Sequence, residues 1–478
     1  MDSIQRLADR CLMPGFVGTQ APEWILRRAA GGLGGVCLYA RNVESPTQLG
    51  LLNARLHAEN PGLVIAIDEE GGDVTRLEAA TGSSYPGNLA LGAVDDIELT
   101  RAVARSMGAD LAAVGIDLDL APVADVNSNP INPVIGVRSF GAETQPVSRQ
   151  TAAWVTGLQE AGVAACAKHF PGHGATSLDS HLDLPVVDED PHEGALEPFR
   201  AAIAARVQAV MSAHIVVPSV DRLPATISAK IMTGVLRGEL GFTGLVVSDG
   251  LEMRAISAGV GLAEGTVLAL AAGCDLLCIG GGLAGQGIAD ELRAAIVAAV
   301  RQGRVSEERL NEAAAHVDRL AAWRAAQTAT YAGDPNIGLE AAKRAVRDEG
   351  NVSIDRRPVI VQLRTAASQA AGVVPWGVVG PLRDLGVQVT EIELDQPPAN
   401  LDGILSQATG RSLVLVVKNL HRHRWMSALV EQVLALRPDS ILVEMGLPAC
   451  RPAHAAAYIA THGAARVCGI AAAEAMLT

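Results

Sequence analysis

Short apolar runs alternate with helix-like stretches from the first residues to about residue 325. The runs are Cys11–Phe16, Gly35–Tyr39, Leu63–Asp68, Ile116–Val123, Ala164–His169, Ala209–His214, Leu245–Asp249 and Asp275–Ile279. Each is short and bounded by polar or glycine-containing segments, as buried strands are. Between them, Thr47–His57, Leu99–Val114, Ser148–Ala161 and Ser228–Leu240 read as helices. Strand-helix alternation predicts parallel β-structure with crossover helices. About eight units in roughly 320 residues suit an α/β fold of the (β/α)8 TIM-like barrel type. An open doubly wound sheet is the structural alternative. The polar residues favour the barrel. Asp68, Lys168, His169, His214 and Asp249 each fall at or just past the end of a run. In a barrel those ends converge on one face, whereas on an open sheet the outermost lie far apart.

From about Ala326 to Asn351 the pattern weakens. Thr328-Ala-Thr-Tyr-Ala-Gly-Asp-Pro reads as a linker and Leu339–Arg347 as a connecting helix. A second alternation follows, with strands expected at Val359–Leu363, Val387–Leu394, Ser412–Lys418, Ile441–Met445 and Arg466–Ile470. It predicts a smaller three-layer α/β domain. The expected division is a catalytic barrel over 1–325, a linker and connecting helix over 326–352, and a C-terminal α/β sandwich over 353–478.

Composition narrows the function. Hydrophobic residues make up 49% and charged residues 19%, enough to bury a sizeable core. Aromatics are 3%, so aliphatic side chains do the packing. A net charge of -14 argues against nucleic acid or an anionic membrane as partner. Seven scattered cysteines form no disulfide framework and point to a reducing compartment. Cys274 and Cys278 lie in an apolar run and are expected in the core. The opening residues lack a signal-peptide pattern, and no run of about 18 apolar residues exists to cross a membrane. The expected location is cytoplasmic. No feature sets an oligomeric state. Gly31-Gly-Leu-Gly-Gly precedes its strand, and Gly280-Gly-Gly-Leu-Ala-Gly lacks the Lys-Ser/Thr of a P-loop, so neither marks a phosphate site.

The chemistry concentrates in residues 164–185, where an apolar strand becomes a polar loop punctuated by Pro171, Gly172 and Gly174. Asp179 and His181 are two apart, and a carboxylate that binds an imidazole orients it and supports its charged form. Histidine gives and takes protons near neutral pH. A local loop hydrogen bond is the bland alternative. Asp249 ends an apolar run, where a carboxylate is costly unless paired or working. It is either a helix cap or a nucleophile. Glu252, one turn on, is expected to face solvent. His169 and His173 are four apart, but Pro171 and Gly172 break a helix and no Glu follows His169, so no metal site is expected. Lys168 fits a Schiff base less well than hydrogen bonding to sugar hydroxyls. Asp68 with Glu70, or Asp117 with Asp119, could serve as paired carboxylates, ranked below Asp249. Arg138 is a surface residue or a fixed donor to a hydroxyl or anion. His421-Arg-His-Arg reads as a solvated turn.

Taken together the motifs resemble the family 3 glycoside hydrolases of the β-N-acetylglucosaminidase branch. They are Asp68-Glu-Glu-Gly-Gly, Ala121-Pro-Val-Ala-Asp-Val-Asn, Asn132-Pro-Val-Ile-Gly-Val-Arg-Ser-Phe-Gly, Lys168-His-Phe-Pro-Gly-His-Gly, Asp179-Ser-His, Met211-Ser-Ala-His and Val247-Ser-Asp-Gly-Leu-Glu-Met. They run in the family's order across about residues 10–320. The C-terminal part is similar, more weakly, to an α/β domain that some members carry. The resemblance implies removal of terminal β-linked N-acetylglucosamine with retention, from small amino-sugar oligosaccharides and without a cofactor. By matched position it implies Asp249 as nucleophile, His181 as acid/base and Asp179 as its partner. Asp68, Arg138, Lys168, His169 and His214 are the expected sugar-site residues. A catalytic loop that moves during turnover is also expected. Two positions depart from the family: Asp73 stands where many members have Arg, and Gly250 where many have Asp. Both bear on the outer subsite and leaving group. The branch includes phosphorylases, and a neutral His repels an incoming phosphate less than a carboxylate would, so phosphorolysis is the alternative. A Schiff-base aldolase and an inactive sugar-binding barrel are the rivals from other classes.

Overall fold

The computed structural model describes residues 2–282, 285–328 and 331–478. Leu283 and Ala284 of the second glycine segment, and Ala329 and Thr330 of the expected linker, lie outside the described residues. Two compact units are present: Met1–Glu70 with Thr100–Ile135 and Ala142–Asp334, and Gly71–Leu99 with Gly136–Gly141 and Pro335–Thr478.

Among its described residues the first unit contains eight parallel barrel strands, one at each expected run, with β5 passing the end of its run by one residue. They are β1 (Leu12–Pro14), β2 (Gly35–Leu38), β3 (Val64–Ile67), β4 (Leu118–Asp119), β5 (Ala164–Phe170), β6 (Ala209–Ser212), β7 (Leu245–Val247) and β8 (Leu277–Ile279). Strands β2 to β7 hydrogen-bond in chain order. A parallel bridge from Val247 to Leu276 carries the sheet to β8, and β8 pairs with β1. The Gly34 N–H donates to the Asp9 carbonyl at 3.0 Å, between the segments leading into β2 and β1. The eight strands thus form a β/α barrel, as expected from the alternation. Gly34 is required there, because a Cβ would lie 2.0 Å from the Arg10 carbonyl oxygen.

Residues two apart on each strand point the same way. Val64 with Ala66, Ala164 with Cys166, Ala209 with Met211 and Leu245 with Val247 therefore fill one buried cluster. Small side chains fit a barrel interior, which explains how a chain so poor in aromatics packs. Asp275, fully buried just before β8, accepts from the Val246 N–H at 2.9 Å, Arg237 at 2.6 Å and Arg309 at 2.7 Å. That network seals the end of the barrel where the strands begin.

The expected helices form as Pro46–Glu59, Ile97–Ala113, Thr144–Glu160 and Lys230–Glu239, the last wound as a π-helix. Gly157 lets the Thr144–Glu160 helix approach its neighbour, since a Cβ there would sit 2.1 Å from the Arg101 carbonyl oxygen.

In the second unit the strands are β9 (Arg347–Glu349), β10 (Val359–Leu363), β11 (Thr390–Leu394), β12 (Leu413–Val417), β13 (Ile441–Glu444) and β14 (Ala457–Ala460). Their order is β9-β14-β13-β12-β10-β11, with only β9 antiparallel to its neighbour. Alternate residues face opposite sides. Val414 and Val416 pack with Val467 and Ala471 of the helix Arg466–Ala475, whereas Leu413 and Leu415 pack with Leu429 and Val433 of Arg424–Leu436. Three layers result, as expected. Arg466–Ile470, expected as a strand, instead opens a helix, and β14 starts nine residues upstream of it. A short apolar run fits a buried helix as well as a strand, and the alanines that follow Ile470 favour helix. The connecting helix is Ile337–Ala345, and Arg347 already belongs to β9. His421 to His423 are half-buried rather than solvated, in a short turn before Arg424–Leu436.

Gly71–Leu99 is fastened within this unit. Asp73 accepts from Lys418 at 2.5 Å and from the Ala464 N–H at 3.0 Å, and Glu78 pairs with Arg466 at 3.1 Å.

Candidate active site

The C-terminal ends of the barrel strands carry the polar residues that the sequence singled out. Asp68 follows β3, Lys168 and His169 lie near the end of β5, His214 follows β6 and Asp249 follows β7. Chain direction therefore gathers them on one face.

Lys168 is buried, and its ammonium lies 2.7 Å from Asp68 Oδ1 and 2.7 Å from Glu70 Oε1. Two charge-assisted bonds hold a buried cation. They also work against a Schiff base, which needs the amine lone pair. The two acids proposed as a catalytic pair are thus tied to one lysine. Asp119 accepts from the Glu69 N–H at 2.9 Å, and burial pushes its carboxyl well above the usual range. Asp117 works elsewhere, accepting from His57 and from the Ile65 N–H at 2.8 Å each.

His169 donates from Nδ1 to Asp125 at 2.7 Å, which sets its ring orientation. Burial opposes ionisation of Asp125, but the His169 imidazole and its hydrogen bonds bring the carboxyl below its ordinary range. Asp125 is a further polar residue of this face, beyond those expected from the sequence. Its signal was available: a lone acid in the apolar stretch that follows β4 must be paired.

Asp249 is partly exposed, and Oδ1 accepts from the Gly250 N–H at 2.7 Å. Desolvation raises its pKa, yet the imidazoles of His214, His169 and His181 together bring it to about 2. The carboxylate is therefore ionised at any ordinary pH. The same coupling puts Asp249 and His181 in one electrostatic neighbourhood. His181 donates from Nδ1 to Asp179 at 2.7 Å, and the same oxygen accepts its backbone N–H at 2.9 Å. Burial raises the Asp179 pKa, and the bonds from His181 outweigh it, leaving the carboxyl below its ordinary range. His214, expected at the sugar, is fully buried and spends both ring nitrogens, on Thr226 at 2.7 Å and on the Gly250 carbonyl at 2.9 Å. It holds the backbone that follows Asp249.

Glu252 does not face solvent. Oε1 accepts the backbone N–H groups of Gly280, Gly281 and Gly282. The second glycine segment thus cradles a protein carboxylate. Arg138 lies in the second unit, in the turn Gly136–Arg138, where its carbonyl accepts from Asn88 at 2.7 Å. His169 and His173 have ring centroids 6.0 Å apart. Among the described residues no group of three His, Cys, Asp or Glu side chains is arranged to hold a metal ion.

The profile of the glycosyl hydrolase family 3 N-terminal domain matches residues 18–320. The chain belongs to glycosyl hydrolase family 3. A beta-hexosaminidase of Alkalilimnicola ehrlichii is 41% identical over 259 residues, which cover 52% of this chain and 73% of that protein. The solved family 3 beta-N-acetylglucosaminidase from Paenibacillus sp. str. FPU-7 superposes with a TM-score of 0.89 at 34% identity, covering 100% of this chain and 97% of that one. A beta-N-acetylhexosaminidase from Beutenbergia cavernae, TM-score 0.62 and 30% identical, covers 67% of this chain and 99% of its own. The family 3 match spans both the Asp179–His181 pair and Asp249.

Proposed function

We propose that this family 3 enzyme releases terminal β-linked N-acetylglucosamine from small oligosaccharides or cell-wall fragments, with retention, through a covalent glycosyl-Asp249 intermediate. The observation that carries the reading is a carboxylate at a barrel strand end, favoured in its ionised form by the imidazoles around it, one of which, His181, is oriented by Asp179 at 2.7 Å. Retaining glycosidases need a nucleophile on one face of the sugar and a proton donor beside the leaving oxygen. Asp249 attacks the anomeric carbon. His181, held by Asp179, gives its proton to the departing alcohol and then, as the neutral base, takes one from water. Lys168 and His169, with Asp68, bind the sugar hydroxyls. We assign Arg138 to the sugar on its motif alone, and His214 to positioning Asp249. Gly250, where many members have Asp, bears on what leaves.

Along the chain, the catalytic barrel is proposed to occupy 1–325, with a connecting segment over 326–352 and an α/β sandwich over 353–478. All seven cysteines are free, which fits a reducing compartment and cytoplasmic turnover of such sugars. Among the described residues no helix is long and apolar enough to cross a membrane.

The test is mass spectrometry after reaction with a fluorinated N-acetylglucosaminide, with and without phosphate. A glycosyl adduct on Asp249 is expected, released as free sugar in either buffer. Release as sugar phosphate makes the enzyme a phosphorylase. An adduct elsewhere, or none, overturns the assignment. Asp249→Ala is expected to abolish turnover.

A further inference from the structure

The segment that carries Asp179 and His181 has no regular secondary structure between Gly172 and Pro185. Something other than a sheet ladder must therefore hold it. His173, 1% exposed at the segment's start, is the residue placed to do so. Its Nδ1 lies 2.9 Å from the Thr176 hydroxyl and its Nε2 3.0 Å from the Ser180 hydroxyl. Ser180 sits between Asp179 and His181 and is itself 1% exposed. The imidazole is anchored in turn. Its backbone N–H donates to Asp125 at 2.7 Å, and its carbonyl accepts from Asn132 at 2.9 Å.

The bond directions follow from what each hydroxyl has already spent. Thr176 donates to the His173 carbonyl at 3.1 Å and accepts from Asn132 at 3.2 Å, so Nδ1–H donates to Thr176. Nε2 is then the acceptor, and Ser180 donates to it. That arrangement needs a neutral ring, and burial lowers the His173 pKa to about 4. Asp125 adds a link to the sugar site, because the same carboxylate orients His169.

We propose that His173 is the positioning residue of the acid/base loop, fastening Thr176 and Ser180 so that His181 meets the leaving oxygen. This rests on the assignment of His181 as acid/base. A misplaced proton donor costs little when the leaving group departs unaided and much when it does not.

The experiment measures kcat/KM for wild type, His181→Ala, His173→Phe and Ser180→Ala on aryl β-N-acetylglucosaminides running from dinitrophenyl to phenyl. His181→Ala is expected to steepen the leaving-group dependence. Ser180→Ala cuts one bond and is expected to lose about tenfold on the phenyl substrate and about twofold or less on the dinitrophenyl one. His173→Phe is expected to follow the same pattern more strongly. Ser180→Ala keeps the test decisive should His173→Phe not fold. A steep His181→Ala series beside parallel lines for both other variants overturns the positioning role alone. A flat His181→Ala series overturns the acid/base reading, and this inference with it.

Discussion

Single residues here are legible by type more readily than by role. The sequence contains two Asp-x-His pairs. Asp190 and His192 repeat the 2.6–2.7 Å carboxylate–imidazole bond of Asp179 and His181, but they are well exposed and His192 also meets Glu239. Only the surroundings separate them, since one pair is coupled to Asp249 and the other lies on the surface. Lys168 shows the energetic side. Lys168→Met leaves Asp68 and Glu70 facing each other, and removing one partner of a buried ion pair costs about 3–5 kcal/mol. A matching fall in urea stability is expected, with kcat/KM down by at least about a hundredfold. His173 gives a pH dependence. An unfolded chain protonates this group near 6.5, whereas the folded chain holds it neutral to about 4. Below 6.5 the unfolded state binds the extra proton, so this group's contribution to stability is lost as pH falls across that window. The loss is about 3 kcal/mol at full extent. Urea titrations at pH 7.5 and 4.5 should show wild type losing more stability than His173→Phe.

At the scale of elements, alternation was a sound guide to where strands lie and a poor guide to where they stop. β4 pairs regularly over two residues, although the apolar run from Ile116 to Val123 is longer: Pro122 has no N–H to give, and parallel pairing with β5 resumes only at the Val123–Lys168 bridge. The Arg466–Ala475 helix shows a different failure, an apolar run short enough to read as a strand whose following alanines favour helix. Helix packing adds a constraint that hydrophobicity does not encode. Gly157 and Gly108 both lie where helices touch closely, Gly108 against Ala161 and Leu158. Gly157→Ala is expected to destabilise by about 1–3 kcal/mol through overpacking. Thermal unfolding should show the loss, with activity per folded molecule little changed.

For the molecule as a whole, the contacts that define its two compact units cut across chain order. Gly71–Leu99 belongs with the C-terminal α/β unit, where Asp73 and Glu78 find their cations. An Asp at position 73 therefore has a structural explanation in Lys418. Ending the chain after Asp334 would remove Lys418, Ala464 and Arg466 and strand those two carboxylates. Hydrogen exchange across residues 71–99 should then rise by at least about tenfold relative to the full chain, while β5 and β6 stay protected.

What the sequence determined by itself is the repeating unit and the stock of reactive groups. Period and run length follow from local backbone geometry, so eight strands and their polar ends could be read directly. Tertiary structure decided the pairings: which acids Lys168 holds, that Glu252 lies in a glycine cradle, that His214 supports a backbone, and which Asp-x-His pair acts on the charge of Asp249. Those choices depend on distances between residues far apart in the chain, and a carboxylate's ionisation depends on every charge within several ångströms of it. No local pattern carries that information.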